Sequence, residues 1–102
     1  SVESAEAIDR VCGIVRSHAA RRPVVVVSAM GKTTNRLLEA TQRAVSGDRT
    51  GALSQLEDLA AFHHREADHY GARTIIDEHF HELSELMRGL AILGELTPRS
   101  ID

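Results

Sequence analysis

The segment whose residue types best suit ligand chemistry is Ser28–Thr34, which reads Ser-Ala-Met-Gly-Lys-Thr-Thr. It follows four consecutive valines, and a helical pattern begins after it at Asn35. A small-residue turn that leaves a buried strand and opens a helix presents free backbone amides and hydroxyls to an anion. A nucleotide-binding P-loop is excluded, because that motif needs a glycine where this sequence has Val26. The spacing leaves two interpretations open: an anion-binding loop, or a plain connection between a strand and a helix.

The six histidines could suggest a metal site. Two zinc ligands on one helix need a spacing of four residues. The histidines of the two predicted C-terminal helices are spaced by one, two, five or six residues instead: His63, His64, His69, His79 and His81. The acidic residues of these helices fit solvated faces better than a catalytic carboxylate pair. We therefore expect no metal site.

Apolar periodicity predicts four helices around one strand. The helices are expected over 4–18, 35–46, about 48–71 and 74–93, with Gly94 ending the last one. Thr97-Pro98 after it should be extended, since the residue before a proline disfavours helical backbone. Between the first two helices, Val24–Val27 are β-branched and do not alternate with polar residues. Such a run is typical of a parallel strand covered on both faces.

These elements predict an α/β protein that is mostly helical, with one parallel-type strand at about 23–28. A strand covered on both faces needs neighbours for its backbone donors and acceptors. No other convincing strand is present in the 102 residues. We therefore expect the chain to be part of something larger, or its strand to pair with a second copy or another polypeptide.

Composition excludes several classes of partner. The net charge is −3 with neutral histidines, and basic residues are interspersed with acidic ones, so neither a nucleic acid nor an anionic membrane is an expected partner. The single cysteine, Cys12, cannot form an internal disulfide. A cytoplasmic location is therefore expected.

Three stretches carry a resemblance to one family. The run Pro-Val-Val-Val-Val-Ser-Ala-Met-Gly-Lys-Thr-Thr-Asn-Arg-Leu-Leu, residues 23–38, closely resembles the second strand and substrate loop of aspartokinases. Residues 94–102, Gly-Glu-Leu-Thr-Pro-Arg-Ser-Ile-Asp, resemble a later stretch of that family. Ser1-Val2 is similar to the tail of its opening signature.

The resemblance implies a phosphotransferase that uses ATP and Mg²⁺ to form 4-phospho-aspartate for lysine, threonine and methionine synthesis. It implies the amino-acid kinase three-layer α/β/α sandwich, usually followed by regulatory ACT domains, in a protein that is expected to form homo-oligomers. Residues 1–102 would be a partial catalytic domain that lacks the signature strand, the nucleotide-binding half and the regulatory ACT region. The signature lysine and the glutamate of the glycine-glutamate motif would lie outside it, so no catalytic residue is expected here and the chain alone should be inactive.

By the same resemblance, four residues are expected to bind or line the substrate aspartate: Ser28, Ala29, Gly31 and Thr34. Lys32 receives no role, because the family varies there. Two alternatives remain. One is a stand-alone helical module for oligomerisation or interaction. The other is an amino-acid kinase for glutamate or carbamate, which the residues of the loop disfavour.

Overall fold

The computed structural model describes residues 2–101 and contains four α-helices. They are α1 (Ala5–Ser17), α2 (Thr33–Val45), α3 (Arg49–Ala67) and α4 (Arg73–Ile101). Short 3-10 turns follow α1 at Ala19–Arg21 and α3 at Asp68–Tyr70. The chain forms two compact units, Ser1–Thr33 and Thr34–Asp102. The four predicted helices are thus present, although the last one is longer than expected.

The first unit consists of α1 and the irregular segment after it. Ser4 caps α1, because its hydroxyl accepts a hydrogen bond from the Ala7 amide at 3.2 Å and satisfies a donor that the first turn leaves free. Ala7 is the one buried residue of this helix. The apolar side of α1 faces Val25 and Val27, and together they line a shallow groove. This unit therefore holds little buried apolar surface.

The prediction of a strand at about 23–28 is wrong. Within residues 2–101 no strand is present, and Val24–Val27 have no regular secondary structure. Val24 and Val26 are 91% and 90% exposed, whereas Val25 and Val27 are 49% and 67% exposed. This alternation has the two-residue period of extended backbone, but the described chain offers no neighbouring segment to which the backbone could bond. The α/β sandwich expected for this chain is therefore not observed, and the described structure is helical.

The second unit is a three-helix arrangement around a core of small residues. Its buried cluster takes residues from all three helices: Ala40, Ala44, Ala52, Leu56 and Met87. Larger side chains pack at the margin of this cluster: Leu37, Leu53, Phe80, Leu83 and Leu90. Alanines at the centre let helix backbones approach closely, so the core is thin but continuous along α3 and α4.

The helix α4 continues past Gly94, the residue that was predicted to end it. A methyl group at Gly94 would overlap the carbonyl oxygen of Val45, at the end of α2. The glycine therefore serves close packing between α2 and α4 and does not end the helix, which reaches Ile101. The expectation of extended backbone at Thr97-Pro98 is likewise wrong.

Candidate functional site

The segment that leads into α2 holds three of the four predicted substrate residues. Ser28 and Ala29 lie in irregular backbone and are exposed. Gly31 has a φ of 57°, in the left-handed region that glycine adopts without the steric cost of a side chain. The chain turns at Gly31 and Lys32, and α2 begins at Thr33. The expected loop is therefore present, although the element before it is not a strand.

Thr33 fixes the geometry of this turn. Its side chain is nearly buried, with 7% of the residue exposed. Both its backbone amide, at 3.2 Å, and its hydroxyl donate hydrogen bonds to the carbonyl oxygen of Met30. These two bonds close the Met30–Thr33 turn and set where α2 starts. Sequence reasoning gave Thr33 no separate role, because two adjacent threonines do not reveal which one points inward.

Thr34 lies in the first turn of α2 and is exposed. In the described part of the chain its hydroxyl forms no hydrogen bond, in contrast to that of Thr33. The amides of the first helical turn have no acceptors within the helix, and the helix dipole places partial positive charge at this end. The N-terminus of α2 is thus suited to a carboxylate or phosphate oxygen.

Two basic residues flank this turn in sequence but differ in their surroundings. Lys32 is exposed and takes part in no ion pair among residues 2–101. The guanidinium of Arg36 lies over the ring of Phe62 on α3, 5.3 Å from its centroid. Arg36 is therefore held by a cation–π contact, whereas Lys32 is an exposed cation within the loop itself.

The chemistry that these groups can perform is positioning. Hydroxyls and amides can orient an anionic ligand, but they supply no nucleophile of unusual reactivity and little charge neutralisation. Among the described residues, no three histidine, cysteine, aspartate or glutamate side chains lie close enough to hold a metal ion. The hydroxyls and amides of residues 28–34 are therefore groups that could position an anionic ligand.

The histidines of α3 take part in packing between α3 and α4. The His64 Nε2 atom lies 2.7 Å from the Asp77 carboxylate on α4. The His63 Nδ1 atom lies 2.9 Å from the Leu59 carbonyl oxygen, and its ring meets Phe80 of α4 edge-on. The pairing of His64 with Asp77 could not have been predicted from the sequence, because it depends on how the two helices pack.

Comparison with known proteins gives relatives that match this chain over its whole length. It is 40% identical to aspartokinase 2, 41% to aspartokinase 3 and 38% to aspartokinase 1, all chloroplastic proteins of Arabidopsis thaliana. The chain spans 19%, 19% and 18% of the length of these relatives, respectively. No protein-family model and no solved structure matches it. The resemblance drawn from residues 23–38 and 94–102 is thereby confirmed.

Proposed function

Since this chain is homologous over its whole length to aspartokinases, we propose that it is part of an ATP-dependent aspartate kinase. The reaction moves the γ-phosphoryl group of ATP to the side-chain carboxylate of aspartate. A carboxylate oxygen bonds to the γ-phosphorus, and the bond from that phosphorus to its bridging oxygen breaks, so that ADP leaves and 4-phospho-aspartate forms. The product would enter lysine, threonine and methionine synthesis.

In this proposal the segment 28–34 holds the aspartate, through Ser28, Ala29, Gly31 and Thr34. The observation that supports this proposal is that two adjacent threonines differ in burial and in hydrogen bonding. Thr33 is buried and bonded to Met30, whereas the Thr34 hydroxyl is exposed at the N-terminus of α2 with no partner among residues 2–101. A free hydroxyl at a helix N-terminus suits a carboxylate ligand.

In this proposal, other parts of the enzyme hold the metal and neutralise the charge of the phosphates. The described residues offer no acidic cluster that would hold Mg²⁺, so they do not fit the metal that accompanies ATP. Phosphoryl transfer depends on neutralising charge across the phosphates and the acceptor. The hydroxyls and amides of the loop cannot supply that charge, and the 102-residue chain is expected to be inactive alone.

The test is a pair of substitutions at the two threonines in the full-length enzyme. Thr34→Ala should raise the KM for aspartate roughly ten- to a hundredfold, because a hydrogen bond to a charged group contributes about 1.5–3 kcal/mol. The KM for ATP should stay nearly constant, and Thr34→Ser should restore the wild-type value by returning the hydroxyl.

Thr33→Ala is the matched control. It removes the same hydroxyl one residue earlier, where that group bonds to Met30, so it should lower the stability of the turn without a selective effect on aspartate. If Thr34→Ala changes both Michaelis constants equally, or if only Thr33→Ala is selective for aspartate, the assignment of Thr34 is wrong.

The cytoplasmic location stays a prediction, since the three relatives are chloroplastic by name. Within residues 2–101, no helix is long and apolar enough to cross a membrane. Assembly into a homo-oligomer also remains part of the proposal.

A further inference from the structure

Positive charge is concentrated in the stretch of the chain that contains the loop. Acidic and basic residues are interspersed elsewhere, but residues 10–38 hold no aspartate or glutamate. The cations of this stretch are Arg10, Arg16, Arg21, Arg22, Lys32 and Arg36. Residues 39–102 instead carry twelve acidic and six basic side chains, a net charge of −6. The loop 28–34 therefore lies in the part of the sequence whose charge most favours an anion.

Lys32 is the cation of this stretch that lies within the loop. Its side chain is exposed and forms no ion pair among residues 2–101. Arg36, the nearest other cation in the sequence, is held over the ring of Phe62. Lys32 is therefore the positive charge that the loop itself can offer to a ligand.

The position of Lys32 is electrostatically unfavourable for the fold. The residue directly precedes α2, which begins at Thr33 and has no acidic residue in its first turn. Because the N-terminal end of a helix carries partial positive charge, a cation at this end is repelled. Within the described part of the chain, no carboxylate pairs with Lys32 to offset this repulsion. A residue that breaks a local rule without compensation in the fold is a candidate for binding a ligand.

We propose that the ammonium group of Lys32 binds a carboxylate of the substrate aspartate, an inference that rests on the proposed function. The hydroxyls and amides of the loop orient an anion but neutralise little of its charge. Lys32 and Thr34 are two residues apart, so their Cα atoms are separated by at most about 7.6 Å. The flexible four-carbon stem of lysine can therefore bring its ammonium group to a ligand that Thr34 binds.

The role of Lys32 in this proposal is to set the affinity for aspartate. Its ammonium group neutralises charge on the acceptor substrate and takes no part in breaking the bond to ADP. Because the aspartokinase family varies at this position, the residue would tune substrate binding in this protein without being essential to the reaction.

The test is the substitution Lys32→Met in the full-length enzyme, which removes the charge and keeps an unbranched apolar side chain. The KM for aspartate should rise about three- to tenfold, between the effect of losing an exposed ion pair and that of losing a hydrogen bond to a charged group. The KM for ATP and kcat should stay nearly constant. Lys32→Arg, which keeps the charge, should restore most of the affinity for aspartate.

Arg36→Met is the matched control. It removes one positive charge four residues further along, where the guanidinium contacts Phe62, so it should leave the KM for aspartate unchanged. An equal rise in both variants would mean that the overall charge of the stretch acts on aspartate, and the assignment to Lys32 would be wrong.

Salt dependence and stability distinguish binding from a structural role. The Debye length falls from about 10 Å at about 0.1 M salt to about 3 Å at about 1 M, so this increase in salt should raise the KM for aspartate more in the wild type than in Lys32→Met. The urea midpoint of Lys32→Met should not fall, because the substitution removes a cation from the positive end of α2. A lower midpoint, or an equal response to salt in both proteins, would contradict the proposal.

The outcomes for Lys32 and for the proposed function can be told apart. If Thr34→Ala raises the KM for aspartate and Lys32→Met does not, the proposed function stands and the role of Lys32 is wrong. If Lys32→Met raises the KM for ATP instead, the lysine acts on the phosphates and the proposal is likewise overturned. An enzyme that does not phosphorylate aspartate at all overturns both.

Discussion

The close contact between α2 and α4 at Gly94 allows a sharp test of the packing. A methyl group built at this position would overlap the Val45 carbonyl oxygen, and would stand 2.8 Å from the Val45 carbonyl carbon and 3.0 Å from the Ala44 carbonyl oxygen. These atoms belong to backbone, which cannot rotate away as a flexible side chain could. Gly94→Ala should therefore force the two helices apart.

The expected magnitude follows from comparison with Gly89 on the same helix. A methyl group at Gly89 would meet nothing within 4 Å, so Gly89→Ala should stabilise the protein by about 0.8–1 kcal/mol through helix propensity alone. Gly94→Ala gains the same propensity but adds about 1–3 kcal/mol of overpacking. Because the propensity term cancels, the two variants should differ in free energy of unfolding by about 1–3 kcal/mol.

Urea unfolding followed by far-ultraviolet circular dichroism measures this difference. The midpoint should rise for Gly89→Ala and lie lower for Gly94→Ala, with the same slope for both if the denatured states are alike. If Gly94→Ala is as stable as Gly89→Ala, then α4 does not approach the carbonyl end of α2 as described, and the reasoning from close packing fails.

Two further predictions concern polar contacts of α3. Asp48→Ala should cost about 1 kcal/mol of stability in the same urea assay, because the Asp48 carboxylate accepts a hydrogen bond from the Gly51 amide at 2.9 Å. Asp48→Asn can still cap the helix and should keep most of the wild-type stability. An equal loss of stability in both variants would contradict the capping role of Asp48. His64→Ala and Asp77→Ala should show a coupling free energy of about 0.5–1.5 kcal/mol in a double-mutant cycle, since their side chains meet at 2.7 Å. Strictly additive effects would mean that this contact contributes nothing.

Local sequence patterns predicted the helices well because their causes are local. Apolar spacing and caps such as Ser4 and Asp48 act within a few residues. The end of α4 was mispredicted because Gly94 can either stop a helix or admit a neighbouring backbone. The contact with Val45, which decides between these roles, is invisible in the sequence. The end of α4, which the local sequence pattern did not determine, is thus decided by packing between two helices.

The strand was mispredicted for a different physical reason. Four β-branched residues favour extended backbone, and the alternating exposure of Val24–Val27 agrees with that preference. A strand also requires hydrogen-bonding partners for its backbone amides and carbonyls, and these partners come from segments that are distant in sequence. In the loop that follows, the pattern predicted the turn, but it placed the start of the helix at Asn35, whereas α2 begins at Thr33. It could not assign Thr33 to the interior and Thr34 to the surface.

The uneven distribution of buried residues leads to a last prediction, about which part of the chain carries the stability. Ala7 is the buried apolar residue of the first unit, whereas the second unit buries residues on α2, α3 and α4, including Leu56, Leu59 and Met87. Isolated helices as short as α1, with 13 residues, are marginal in water. The free energy of unfolding should therefore come almost entirely from the second unit.

A shortened chain of residues 30–102, which keeps the Met30–Thr33 turn that starts α2, tests this directly. Its urea midpoint, by far-ultraviolet circular dichroism, should match that of the whole chain, because it retains the complete cluster around Ala44, Leu56 and Met87. A peptide of residues 1–33 should show little helix at low concentration, since its apolar residues have too few neighbours to bury them. If the shortened chain instead unfolds at a much lower urea concentration, the first unit stabilises the second, and the division of the chain into a stable and a marginal part is wrong.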